Sequence, residues 1–319
     1  MNSSADGADR FRFNPVYPRN PRFAFFFSSV KNQAINHLVF VLIRVYPWLI
    51  KSGLYLTSVA VCSAAEPLAK GIQDNSFLVE EAYNQEPGVV QHILNVPFAF
   101  NGGEKEISPS FTQEWPVFSQ RHQFSYTIPH TFLENGGSDS GFEDIRLNYR
   151  LQVLMESEQM PAFAPRFSLV TPIGDSAKGF GHDTLGYEVN LPFSKIVGNR
   201  WTVHGNAGAT FFPDVKDRDL TNYNLGGSVI YAVTANLNLM LESVAGWEED
   251  IDVARRVDRT LTALVSPGVR YAFNLPNDAQ LVIGAAVPIG ITPDAPDYGL
   301  FFYCSFEHPF TRVSSNITK

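Results

Sequence analysis

From Phe142 to Met155 the chain alternates. Ile145, Leu147, Tyr149, Leu151, Val153 and Met155 form one row, and Asp144, Arg146, Asn148, Arg150 and Gln152 form the other. A period of two marks an extended strand with one apolar face. The pattern recurs. Leu185, Tyr187, Val189, Leu191 and Phe193 oppose Glu188 and Asn190. Trp201, Val203, Ala207, Ala209 and Phe211 oppose Thr202, His204, Asn206 and Thr210. Leu237, Leu239, Leu241, Ala245 and Trp247 oppose Asn236, Asn238 and Glu242, and Leu261 to Phe273 repeats the scheme against Thr262, Ser266, Arg270 and Asn274. The alternation predicts about twelve strands, the even number expected of a single-chain bacterial barrel. They fall near 88–100, 110–117, 121–131, 142–155, 163–172, 182–193, 200–212, 222–233, 236–248, 259–273, 280–289 and 298–308. The eleventh, LVIGAAVPIG, is apolar on both faces, which suits a small-residue packing site or a soluble core strand.

The connections alternate as well. Those at 101–109, 132–141, 173–181, 213–221, 249–258 and 290–297 are longer and rich in Gly, Asp, Glu and Pro; those near 118–120, 156–162, 194–199, 234–235 and 274–279 are mostly shorter. Long loops against short turns is the outer-membrane pattern, with extracellular loops, periplasmic turns and both termini periplasmic. The fold class is therefore all-β, a transmembrane antiparallel β-barrel of about 12 strands. A soluble β-sandwich also alternates, but gives no reason for the loop parity. Trp115, Trp201 and Trp247 near strand ends suit an interfacial aromatic girdle.

Composition agrees. Of 319 residues 45% are hydrophobic but only 18% charged, with 26 Phe and 12 Tyr. Alternation dilutes the apolar signal of a membrane barrel in this way. A net charge of -8 argues against a nucleic-acid partner. Residues 1–65 are assigned to an N-terminal extension and signal peptide: Lys51 precedes the apolar LYLTSVAVCSAA, with cleavage expected after Ala65 and a lipoprotein reading through Cys62 disfavoured by bulky Val61. Residues 66–87 are assigned to a periplasmic N-terminal segment, in which SFLVEEAYNQEPG is either a short helix or a stretch tucked into a lumen. The barrel takes 88–310 and a polar tail 311–319. The last strand, YGLFFYCSFEHPF, resembles the aromatic closing strand that the barrel-insertion machinery reads, with Phe306 or Phe310 as the terminal aromatic.

Several stretches carry a family resemblance. EEAYNQEPGVVQH (80–92), FTQEWPVFSQRHQFSYT (111–127), GFEDIRLNYRLQV (141–153) and APRFSLVTPIGD (164–175) resemble the transporter-like outer-membrane barrels related to the "MetA-pathway of phenol degradation" proteins. The likeness runs over about 75–310. It implies passage of small, hydrophobic or aromatic compounds across the outer membrane, and assigns no site residues.

Candidate chemistry follows from the inward rows. Glu114, Asp144, Arg146, Asn148, Arg150, Arg166, Glu188, Glu242 and Arg270 are expected to line the pore, since an Arg or Lys facing lipid near the midplane costs ~2–4 kcal/mol. They form either a selective constriction or a mutually neutralising ladder that fills the barrel, with Asp144 and neighbouring acids offsetting Arg146 and Arg150. His122 and His130 lie eight residues apart and His204 stands alone, so no metal site is expected. No cofactor motif is present either. For an enzyme, His182-Asp183-Thr184 near Glu188 is the best local cluster, yet there is no G-x-S-x-G and catalysis is not expected. The acidic loop 247–259 is read as solvated and internally ion-paired, in preference to a calcium or lipopolysaccharide-phosphate site. The expected function is a passive, weakly selective outer-membrane channel. A closed structural or docking barrel and a membrane-embedded hydrolase are the alternatives. The expected partners are outer-membrane lipid and lipopolysaccharide, the insertion machinery and a small-molecule permeant.

Overall fold

The computed structural model describes residues 13–14, 17–18, 76–134, 137–252 and 255–310. The expected leader, its cleavage site and the polar tail lie outside them. A short separate ladder pairs Phe13–Asn14 with Tyr17–Pro18. There is no helix among the described residues, and the strands form one closed antiparallel barrel of 12 staves.

In chain order the staves are β1 (Val89–Asn101), β2 (Glu104–Ile107 and Ser110–Val117), β3 (Ser119–Glu134), β4 (Ser138–Phe142 and Arg146–Leu151), β5 (Ala162–Phe163 and Arg166–Val170), β6 (Gly186–Asn190 and Phe193–Val197), β7 (Trp201–Val215), β8 (Arg218–Ala232), β9 (Leu237–Ile251), β10 (Val257–Asn274), β11 (Gln280–Ala286 and Ile289–Gly290) and β12 (Tyr298–Pro309). Each pairs with its neighbour in sequence, and β12 returns to β1 from Tyr298↔Phe100 to Pro309↔Val89. Closure removes the free edges that an open sheet would leave in lipid.

Four of the split staves break at proline: Pro109, Pro165, Pro192 and Pro288. Proline gives the ladder no N–H, so pairing there is one-sided. Its carbonyl still accepts, from His130 N at 2.9 Å on Pro109 and from Leu151 N at 3.0 Å on Pro165.

The two faces separate as the alternation requires. On β9, Leu239, Leu241 and Trp247 are exposed while Asn238, Met240, Glu242 and Glu248 are buried. On β4, Leu147, Tyr149 and Leu151 point out while Asn148 and Arg150 are buried. The exterior carries a belt of exposed Phe, Leu, Val, Tyr and Trp, Trp115, Trp201 and Trp247 among them, far beyond the apolar patches of a water-soluble surface. The interior is mostly polar. This is the membrane-spanning form of bacterial outer membranes, and it puts the chain there.

The loops depart from the sequence reading. The long connections expected at 101–109 and 213–221 are two-residue hairpins. Asn101 pairs with Glu104 around Gly102–Gly103, and Val215 with Arg218 around Lys216–Asp217. All four turn residues have positive φ, 56° and 104° in the first pair and 49° and 68° in the second, which is the primed-turn geometry of a tight hairpin. Pairing continues there through polar residues, where apolar alternation has ended. The stretch expected near 173–181 is a true loop, running from 171 to 185 between β5 and β6. With chain ends on the periplasmic side, single-cysteine labels at Asp139 and Asp217 should react from outside intact cells, and labels at Gln159 and Asn277 should not. Reaction at all four would overturn the orientation.

Candidate functional site: a segment held inside the barrel

Residues 76–87 do not form a helix. They run as irregular, bent backbone inside the lumen, where Phe77, Val79, Glu81, Ala82, Asn84 and Gln85 are buried. A stretch that is neither helix nor strand does not pair its own backbone regularly, and buried N–H groups need partners. Wall side chains supply them. Glu242 Oε1 accepts from Leu78 N at 2.9 Å and Val79 N at 3.2 Å. Ser194 Oγ accepts from Ala82 N at 2.7 Å, Gln152 Oε1 from Asn84 N at 3.1 Å, and Gln123 Oε1 from Gln85 N at 2.8 Å. Gln152 Nε2 donates back to Ala82 O at 2.6 Å. These four wall residues sit on β9, β6, β3 and the end of β4, so the segment is gripped from several sides. Tyr83 OH donates to Glu156, in the connection after β4, at 2.6 Å. Burial and Glu156 together push its hydroxyl far above the ordinary phenol range, so it stays a donor.

A run of alternating charge passes through the segment. Arg150 NH2 lies 3.8 Å from Glu114, and its NH1 lies 3.3 Å from Glu80 Oε1. Glu80 Oε2 takes Arg166 Nε at 2.8 Å. Arg166 NH2 continues to Glu188 Oε1 at 2.6 Å, and Glu188 Oε2 lies 3.5 Å from Arg146 Nε. Arg150 also donates to Asn84 Oδ1, Glu81 O and Tyr83 O at 2.8–3.0 Å, and is 2% exposed. Removing one partner from such a buried set leaves a charge uncompensated, which is far costlier than losing a surface pair.

Of the nine residues expected to line the pore, six therefore meet in one network: Glu114, Arg146, Asn148, Arg150, Arg166 and Glu188. Asn148 joins by accepting from Arg166 NH1 at 3.0 Å. Glu242 grips the segment on another wall, within the field of buried Arg270 on β10. Asp144 is the exception to the expected ladder. It does not offset Arg146 or Arg150; Glu80, Glu114 and Glu188 do. Asp144 interrupts β4 and ties down the 171–185 loop, accepting from Gly174 N at 3.0 Å and from His182 N and Nδ1 at 2.9 and 3.1 Å. The His182 ring stacks on Phe212, centroids 3.7 Å apart.

The opposite end of the segment is anchored by packing. Phe77 stacks on Phe301 at 5.5 Å and lies tilted against Tyr303 at 5.1 Å, within a cluster that includes Ile93, Met240, Val282 and Ala286. The small residues of LVIGAAVPIG explain themselves here: a Cβ at Gly284 would run into the Phe77 ring. A cavity of about 420 Å³ adjoins the segment, floored by Ser76–Glu80 and reaching His182, Asn222 and Glu248 towards the loop end.

Sequence reasoning missed two features. Glu80 is remote in sequence from both arginines, and its signal was only a carboxylate- and amide-rich stretch ahead of the first strand. His204 does not stand alone: its Nδ1 is 2.7 Å from Ser194 Oγ. That serine is already engaged with Ala82 N, and the neighbouring charge acting on His204 is Arg270, not a carboxylate. Among the described residues the pair thus has no carboxylate of the kind that orients a catalytic histidine. The 247–259 stretch is largely strand and internally paired, Arg259 to Glu249 at 2.5 Å and Arg256 to Asp252 at 2.9 Å. Among the described residues no group of three or more His, Cys, Asp or Glu forms a metal cluster.

Among solved structures, an outer membrane channel from Pseudomonas putida F1 matches with a TM-score of 0.58 at 14% identity, over 71% of this chain and 97% of that chain. The KdgM porin in complex with disordered oligogalacturonate matches at 0.37 and 8% identity, over 69% of this chain and 99% of that one. The NanC porin matches at 0.41 and 8%, over 67% and 98%. No curated protein sequence matches. The first of these likenesses agrees with the barrel fold derived above. A family model described as "Putative MetA-pathway of phenol degradation" matches residues 96–298, more than half of the chain. The chain belongs to that family.

Proposed function

We propose that this protein is an outer-membrane channel for small molecules, held closed by its own residues 76–87. The observation that carries the reading is the interior. A barrel serving only as a wall needs no lumen beyond packed side chains. Here Glu114, Arg146, Asn148, Arg150, Arg166 and Glu188 border a cavity of about 420 Å³, beside a segment that is bound to the wall but not part of it. On this reading the nine line the conduit, and the charge ladder sets what passes. The protein is not an enzyme: Ser194 and His204 serve to seat the segment. Its partners are outer-membrane lipid and lipopolysaccharide around the apolar belt, the insertion machinery at the closing strand and a small permeant; the net charge of -8 disfavours nucleic acid.

The density of hydrogen bonds on the segment favours one rival, a barrel that never opens. Planar-bilayer recording separates them. The full chain should give small or infrequent conductance steps, and a variant with a loosened segment should give larger ones. Silence from both, with no swelling of loaded liposomes, would remove the channel.

A further inference from the structure

We propose that Arg150, Arg166 and Asn190 form a binding site for the carboxylate of a small organic acid, a site that the chain's own Glu80 fills in this structure. The three residues stand in one row across β4, β5 and β6. Arg166 is the direct cross-strand partner of Arg150 on one side and of Asn190 on the other. Like charges directly opposite one another repel. Two adjacent arginines turned into a confined lumen therefore call for an anion between them, and Glu80 is that anion. Its Oε1 lies 3.3 Å from Arg150 NH1, and its Oε2 takes Arg166 Nε at 2.8 Å and Asn190 Nδ2 at 2.6 Å.

The site belongs to the wall and its occupant does not. Arg166 is held independently of the segment by Asn148 at 3.0 Å, Glu188 at 2.6 Å and Ser168. Glu114 keeps a partner on the far side of Arg150. Within the ladder, three arginines (146, 150, 166) face two wall glutamates (114, 188), so withdrawal of Glu80 leaves one positive charge over. Both carboxylate oxygens are used, one towards each guanidinium, a recognition that an alcohol or a phenol cannot reproduce. Glu80 also borders the cavity that reaches towards the loops, and about 420 Å³ is within the range that accommodates a small ligand. A permeant acid entering from that side meets the site and competes with Glu80, which couples arrival of the solute to release of the segment. The coupling rests on the channel reading; the binding does not.

The test uses benzoate as the acid and benzyl alcohol as its neutral counterpart. Each is titrated calorimetrically into the full chain and into Glu80→Ala, both shown to be folded by heat-modifiable migration. Without its internal competitor, Glu80→Ala should take up one benzoate about tenfold or more tighter than the parent chain. Adding Arg166→Gln should weaken that binding about tenfold or more. Benzyl alcohol should not bind. A folded Glu80→Ala barrel that ignores benzoate, or binds both probes alike, overturns the proposal. If Glu80→Ala does not fold, the parent chain decides: benzoate but not benzyl alcohol should expose residues 76–87 to protease, and equal or no exposure overturns it. Conductance is read separately. A barrel that conducts without binding benzoate loses the site and keeps the channel; one that binds benzoate and never conducts does the reverse.

Discussion

Arg150→Ala should destabilise the protein by about 3–5 kcal/mol and free residues 76–87 from the lumen. No other described side chain holds the segment at so many points. It meets Glu80, the Asn84 side chain and the carbonyls of Glu81 and Tyr83, and it also faces Glu114 on β2. Alanine removes this donor from all of them at once, although Glu80 keeps Arg166 and Asn190, and they are too enclosed to recover water freely. The carbonyls lose a charge-assisted donor, and Glu80 and Glu114 each lose an arginine. The change should appear as a lower urea midpoint in detergent, as protease cleavage between Ser76 and Pro87 in the folded barrel, and as larger conductance steps. Lys105→Ala is the matched comparison. Its pair with Glu134, at 3.1 Å, is well exposed, and screened surface pairs contribute little. If Arg150→Ala behaves like Lys105→Ala in all three measurements, Arg150 does not hold the segment.

The barrel was legible in the sequence because a lipid-facing wall imposes a strict period. Leu147, Tyr149 and Leu151 must face lipid, so Asn148 and Arg150 must face in, and a one-residue slip would reverse both rows. The strand ends were less legible. Beyond the membrane the staves stay paired, but the outer face is wet and no longer selects for apolar residues. The stretch 213–221 therefore reads as a loop, although only Lys216 and Asp217 lie outside the strands. The lumen was legible in its wall, and a segment tucked into it was one of two readings for SFLVEEAYNQEPG, but the contacts between them were not legible. Period two shows that Arg150 and Arg166 point inward. It says nothing of which acid meets them, because Glu80 is 70 and 86 positions away and lies on no strand. Asp144 failed for a related reason. Its place in the inward row was evident, while its partners, Gly174 and His182, belong to a loop whose path no alternation records.

Phe77→Ala should cost about 3–5 kcal/mol if the pocket cannot collapse. Collapse is restricted here because the pocket walls are strands of a closed barrel. Phe77 is 6% exposed, packed against Phe301 and Tyr303 and fitted against Gly268 and Gly284. The ring is an apolar anchor three residues from Glu80, so the segment is fixed by packing at one end and by charge in its middle. The two anchors act on one body, and this predicts how they combine. Once either substitution releases the segment, the other has little left to remove. The double variant Phe77→Ala/Arg150→Ala should therefore fall short of the summed single effects by about 1–3 kcal/mol, as coupled sites do. Protease exposure of residues 76–87 should already be near its maximum in one of the single variants. Strict additivity, with exposure rising again in the double variant, would mean that the two ends detach separately. Opening would then proceed by local fraying of the segment, and the charge ladder alone would set the barrier to passage.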